Sequence, residues 1–319
     1  MRSAGWIAVR AATCVATLTV LSVVVFWAAE VLPGDAVGVV AGPDATDAER
    51  EAVRVALGLD RPPVQRYGEW VAGMLHGNLG TSLVSGRDVA DIVAARLGAS
   101  LAVLVPAAVL ILILAGALGT AAGLRPGSRL DRGLSGTTLG LIGIPDFLIA
   151  TALLVVFTLW WTVLPTVALI PPGETLWQHP ELIALPALAL TLGGFGSTMR
   201  LLRASVAQTA AAPFAEFARL NGVRGPRYVR TIVSNAAGPA IHAFTVMIAG
   251  LLGGGIVVET LFNVPGVGYE LARAVESRDV PLVQGLSLVL AAATLTVLLV
   301  GDVAARALDR RTADAAVTS

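Results

Sequence analysis

The chain has 319 residues, 55% of them hydrophobic and only 14% charged, with a mean hydropathy of +0.78 and a formal net charge of zero. This is too apolar for an ordinary soluble domain, and a neutral chain has no electrostatic basis for gripping nucleic acid or acidic substrates. All 22 basic residues are arginine. The single Cys14 excludes an intramolecular disulfide or a cysteine metal site, and His76, His179 and His242 show no ligand spacing.

In chain order, charge-free runs at 11–29, 97–124, 147–173, 182–199, 231–258 and 280–301 mark membrane passes. A charge at the bilayer centre costs roughly 2.5–3.5 kcal/mol on insertion scales, so such runs are selected where the chain crosses. About 20 helical residues match the ~30 Å hydrocarbon layer. The predicted helices are 1–30, 98–124, 135–161, 182–204, 236–262 and 281–305, with a tail at 311–319. The third is placed to begin near Ser135, ahead of Asp146, and to end near Trp161. The first has the arginine-bearing start (Arg2, Arg10) and small Ala28-Ala29 stretch of a signal peptide. Its apolar region nevertheless exceeds the usual ~7–15 residues and five spans follow, so it reads as a retained helix.

Arginines in the short connections set an orientation. With the N-terminus inside, so are Arg2 and Arg10, then Arg125, Arg129 and Arg132, then Arg200, Arg203, Arg219, Arg224, Arg227 and Arg230, and finally Arg306, Arg310 and Arg311. The third-to-fourth loop outside has Glu174 and Glu181 and no arginine. This is the positive-inside pattern, and it puts both termini in the cytoplasm of a cell whose plasma (inner) membrane holds the chain.

The segment 31–97 is then an extracytoplasmic cap rich in acids. Thr46-x-x-Glu49 reads as a capping box that opens a helix, and Gly58 ends it. Pro62-Pro63 forces an extended link before a second amphipathic stretch over 64–75. A lid, a docking surface and a solvated spacer are all compatible with this pattern. On the other side, Pro213 opens a short helix, Asn221-Gly222 ends it in a left-handed cap, and Gly225-Pro226 makes a break before a further helical piece that runs into the fifth span. Ala215 and Ala218 leave a close-approach surface beside Phe214 and Phe217. A compact helix protruding from the membrane suits a groove on a partner; a basic loop that only sets topology fits the same residues.

Within this loop, Glu216-Phe-Ala218-Arg-Leu-Asn-Gly222 resembles the EAA---G motif of binding-protein-dependent ABC importer permeases, whose coupling helix docks on the ATPase subunit. The resemblance carries Glu216, Phe217, Ala218, Arg219 and Gly222 over as coupling positions within 213–222. Phe217 stands where the motif has alanine, and Ser234-Asn235 replaces the usual Leu-Pro. Other blocks resemble the dipeptide/oligopeptide/nickel B-subunit type in order and spacing. They are Leu32-Pro33-Gly34-Asp35, Leu57-Gly-Leu-Asp-Arg-Pro62, Gly77-Asn-Leu-Gly80-Thr-Ser82, Val258-Glu259-Thr260-Leu-Phe262, Pro265-Gly266-Val-Gly268, Arg278-Asp279-x-Pro281 and Val283-Gln284-Gly285. The resemblance spans about residues 7–310. It implies a type I ABC importer permease fold, all-α, with six transmembrane helices, a small extracytoplasmic cap, a core at 98–310 and a cytoplasmic coupling helix. It further implies a second related permease subunit, two cytoplasmic ATPases that hold ATP and Mg, and an external binding protein that delivers solute. Glu259, Pro265, Gly266 and Gly268 become candidates for the outer loop or gate.

Pro265-Gly266 favours a tight turn in which glycine tolerates positive φ. Gly253-Gly254-Gly255 lets neighbouring helices approach closely. Asp146, beside Pro145, is the one acid away from the ends of a predicted span; it stands either on the solute path or near enough to the interface to be solvated. The family usually has a small polar residue there, so no role for it carries over. The P-loop needs a lysine, and the chain has none, so an ATP-driven transporter must take its ATPase from another chain. No cofactor is expected on this chain, and no hydrolytic motif is present. The rival expectation is an ion-coupled secondary transporter, which calls for discontinuous helices, repeats and buried ionisable residues.

Overall fold

The computed structural model describes residues 3–31, 36–42, 44–56 and 58–317. In chain order its helices are α1 (Ser3–Val31), α2 (Ala36–Ala41), α3 (Asp47–Ala56), α4 (Pro63–Leu75), α5 (Val89–Gly123), α6 (Arg129–Ile142) and α7 (Asp146–Leu159). A 3-10 turn (Leu176–Gln178) precedes α8 (Pro180–Ala210), α9 (Pro213–Leu220), α10 (Gly225–Asn235), α11 (Ala237–Leu261), α12 (Val267–Glu276) and α13 (Val280–Val317). Among the described residues, five helices are long and apolar enough to cross a bilayer, and the α6–α7 pair makes a sixth crossing if counted as one span. The protein is an all-α polytopic membrane protein. It divides into two compact units, one from 1–100 with 263–294 and the other from 101–262 with 295–319.

In the first unit α1 is apolar on every face, and Val15, Val20 and Val24 are 63%, 63% and 55% exposed. A helix apolar all round belongs in a protein core or in lipid, and here the chain covers little of it. The cap begins with the predicted capping box: the Thr46 N–H and hydroxyl each donate to Glu49 Oε2 at 2.8 Å, and the Glu49 N–H reaches Thr46 Oγ1 at 3.4 Å. The bond from the Thr46 backbone, then that from its hydroxyl, holds the Glu49 carboxyl below its ordinary range. Gly58, at φ 66°, closes α3 while the Leu59 N–H returns to Arg54 O at 2.9 Å. Pro62 supplies the extended link, with φ −55° and ψ 137°. The following α4 packs on α1 through Phe26, whose ring lies 5.3 Å from Tyr67 and 5.7 Å from Trp70. Ser22 and Tyr67 share a 2.8 Å hydrogen bond, and Arg66 pairs with Glu30. This stretch therefore has defined structure. Leu32-Pro33-Gly34-Asp35 and Leu57, quoted above, lie outside the described residues.

The core of this unit gathers Val89 and Ile92 of α5, Val267 and Ala274 of α12, and Leu282 and Leu286 of α13. A polar junction fixes it. Asp279, fully buried, caps α13 by accepting from the Leu282 N–H at 3.4 Å. It also accepts from Ser82 Oγ at 2.5 Å, the Leu83 N–H at 3.1 Å and the Val84 N–H at 3.3 Å. Two blocks almost 200 residues apart in sequence thus meet on one carboxylate. At the start of α12 the predicted turn forms, with a correction. Gly266 is extended (φ −92°, ψ −174°) as the N-cap, and its N–H reaches Val264 O across Pro265 at 2.7 Å. The left-handed residue is Asn263, at φ 54°, a residue type that tolerates that region.

In the second unit α8 is the central helix, with Leu185, Ala189, Leu190, Met199, Leu202 and Val206 buried. Small residues decide how near its neighbours come. A Cβ at Gly119 would sit 3.0 Å from Met199 O, one at Gly123 2.7 Å from Arg203 O, and one at Gly196 3.2 Å from Thr138 O. Of the glycines expected to do this, Gly254 does, since a Cβ there would fall 3.2 Å from Asp146 Oδ2, whereas Gly253 has nothing within 4 Å and Gly255 meets only Leu104 Cδ2 at 3.6 Å. The continuous third helix expected over 135–161 is corrected. The chain forms α6 and α7 with a bend of 97° between them. Pro145 has no N–H to continue a helix and disfavours helical geometry at Ile144 before it, and Pro145 itself stands extended as the N-cap of α7 (φ −58°, ψ 142°).

Arg203 on α8 grips Asp131 at the start of α6 as a fork, Nε to Oδ1 and Nη2 to Oδ2, both at 2.7 Å. Asp131 is 3% exposed and also accepts from the Gly127 N–H at 2.8 Å. This pair puts the 125–132 and 200–203 arginines at one end of the unit. Glu174 and Glu181 flank the opposite end of α8, both on His179, at 2.5 and 3.1 Å.

Candidate coupling surface and pathway residues

The segment after α8 becomes a helical hairpin because its punctuation is local. Pro213 sits in the first turn of α9, where its missing N–H costs nothing, behind an extended Ala212. Gly222 (φ 80°) ends the helix, with the Val223 N–H returning to Ala218 O at 3.0 Å and Asn221 Nδ2 donating to Phe217 O at 2.9 Å. Gly225, also left-handed at φ 60°, starts α10. The hairpin is anchored by fully buried Ala215, which packs with Val206, Ile232 and Ala236. Arg219 lies over the Tyr228 ring at 5.8 Å.

The predicted coupling residues divide by face. Ala218 is half-buried, so the close-approach surface of Ala215 and Ala218 serves the chain's own packing. Glu216, Phe217, Arg219 and Gly222 are exposed. Phe217 and Leu220 are 69% and 80% exposed, a large apolar display for an eight-residue helix bounded by charge. Sequence reasoning missed Leu220, although its place one turn after Phe217 was a usable signal.

The other predicted residues do not join this surface. Glu259 is buried near the end of α11; Gly266 and Gly268 are buried and Pro265 is half-buried around the start of α12. Asp146 is the first residue of α7, at the break in the bent pair, and is exposed. A Cβ on Gly193 of α8 would fall 2.5 Å from its Oδ1, and one on Gly254 of α11 3.2 Å from its Oδ2.

Five or six helices able to cross a bilayer, with a short helix that exposes Phe217 and Leu220, define a multi-pass membrane protein. The comparisons name the family. Residues 115–314 match the model described as binding-protein-dependent transport system inner membrane component, and residues 5–104 match its N-terminal companion. A protein of Brucella suis biovar 1, named as a candidate peptide permease, is 33% identical over 303 residues, covering 92% of this chain and 94% of its own length. The glutathione transport system permease protein of Escherichia coli O6:H1 is 34% identical over 288 residues, covering 90% and 92%. The chain belongs to the family of binding-protein-dependent transport system inner membrane components. It is a multi-pass permease component of an ABC importer, working with a substrate-binding protein and with ATPase activity on separate subunits. That membership sets aside ion-coupled transport, even though the broken α6–α7 pair is a feature that mode of transport would also show.

Proposed function

We propose that this chain forms half of the translocation pathway of an importer for di- or oligopeptides or similar small solutes, beside a second related permease subunit. Two cytoplasmic ATPases bind ATP and Mg and drive it, and this chain binds no cofactor of its own. The observation that carries the coupling role is α9: anchored inward by Ala215, it presents Phe217 and Leu220 outward with Glu216 and Arg219 beside them. Names given to relatives, peptide and glutathione permeases, support the cargo class. The arginine-rich end of the second unit supports cytoplasmic termini, with the 31–97 cap, Glu259 and Pro265–Gly268 toward the outer mouth.

The test is co-purification and uptake in the assembled transporter. Phe217→Ser removes exposed apolar surface without touching the core, and Gly222→Arg puts a side chain on a left-handed residue at a cost of about 1–2 kcal/mol. Each is expected to lower ATPase retention and ATP-driven uptake about ten-fold or more, as loss of a central apolar anchor does at other interfaces. Undiminished uptake in both variants would refute the coupling role of α9.

A further inference from the structure

Asp146 stands within a membrane-crossing part of the chain, away from the charged ends of the two helices it touches. On α8, Gly193 beside it is seven residues from the exposed Arg200, roughly 10 Å of helix and a third of the ~30 Å hydrocarbon layer. On α11, Gly254 is twelve residues from the exposed His242, roughly 18 Å. A carboxylate at that depth costs several kcal/mol against lipid and is found facing a cavity, a polar path or a partner. Asp146 has no hydrogen bond or ion pair among the described residues, unlike Asp131 and Asp279. It rests instead against two helix faces bare of side chain, where α8 and α11 each supply a glycine.

The surface around it continues this character. On α8, Ser197 and Arg200 follow Gly193 at helical spacing and are both exposed. On α11, Gly250 and Gly253 have nothing within 4 Å. An open glycine wall, a hydroxyl and a carboxylate, with the Arg200 guanidinium about 10 Å further along α8 at its charged end, make a polar strip that water or solute can follow, and lipid gains little from it.

We propose that Asp146 is a recognition point for a positively charged group of the transported solute, an ammonium or a guanidinium, so that the permease favours cationic peptides. This rests on the peptide-importer reading above and adds a selectivity located in the membrane. Asp146 offers two acceptor oxygens with no partner among the described residues, and a charge-assisted hydrogen bond of ~1.5–3 kcal/mol corresponds to about ten-fold or more in preference.

The experiment uses the full transporter in proteoliposomes. Uptake of a lysine-containing tripeptide is compared with that of its N-acetylated norleucine counterpart, after correcting for each peptide's affinity for the binding protein. Asp146→Asn is expected to lower the cationic-to-neutral uptake ratio about ten-fold, and Asp146→Glu to keep most of it. An unchanged ratio in Asp146→Asn overturns the proposal. So does loss of the second permease subunit in Asp146→Asn but not in Asp146→Glu, since the carboxylate would then pair with that subunit. A wild-type complex that imports neither peptide counts against the peptide-importer reading itself.

Discussion

The Asp279 junction offers the sharpest stability test, because one carboxylate holds the 82–84 loop to the start of α13. Asp279→Ala removes the acceptor for four donors: Ser82 Oγ and the N–H groups of Leu83, Val84 and Leu282. Val84 is 59% exposed, so its N–H recovers a partner from water, and the Ser82 hydroxyl can turn to Ser85 Oγ at 2.8 Å, which leaves chiefly the Leu83 and Leu282 N–H groups unpaired. A buried donor left unsatisfied costs about 1–3 kcal/mol, and two such groups with part of a third give roughly 3–5 kcal/mol. At about 2–4 °C per kcal/mol, the apparent melting temperature should fall by at least about 6 °C. Ser82→Ala alone loses the hydrogen bond to the carboxylate and the acceptor for the Ser85 N–H and hydroxyl, and should cost about 1.5–3 kcal/mol. In a double-mutant cycle the two changes should be sub-additive by about 1 kcal/mol or more, because the Ser82–Asp279 bond is counted in both single variants. Melting of the purified protein in detergent, followed by size exclusion after heating, reads all four corners. An Asp279→Ala variant that melts with the wild type, or full additivity of the two changes, would refute this account.

Two further outcomes follow from the same structure. Arg203→Ala leaves Asp131 buried without its fork and should destabilise by about 3–5 kcal/mol, whereas replacing both residues with apolar side chains of similar size should recover much of that loss; equal melting of the single and double variants would count against it. His179 has its pKa raised above the ordinary value by the hydrogen bond to Glu174, then by that to Glu181, against an opposing burial effect. The cation is therefore favoured in the fold: its stabilisation of the 174–181 turn is complete below the unfolded value of about 6.5 and is lost as pH rises through the higher folded value. An NMR titration of His179 should find a midpoint above 6.5, and a midpoint at or below it would show that the two glutamates do not hold the imidazolium.

What the sequence made legible follows from the range of the interactions involved. Membrane passes depend on composition alone, and the caps at Thr46, Gly58, Pro213 and Gly222 depend on residues within one turn, so both could be read directly. The α6–α7 break was also local, written in Ile144-Pro145. The apolar composition continues across it, and span length alone favours one helix. The Asp279 junction was invisible for a different reason: Ser82 and Asp279 stood in two recognised blocks, but only the tertiary fold joins them. Arg203 was counted as a topological charge, and its fork to Asp131 shows that one arginine can mark the inner boundary and tie two helices together.

These contacts change how the acids of the chain are weighed. Asp131 has a bidentate arginine and a backbone donor, and Asp279 has four donors, so the burial of each is accounted for by structure. From sequence, Asp146 differed from them only in standing inside a span. In the fold it differs in chemistry, with two bare glycine faces behind it, an open strip beside it and no donor among the described residues. A charge kept inside a span without a partner among the described residues is, on the proposal above, the one whose substitution should change what is transported, where substitution of the other two should change only whether the protein holds together.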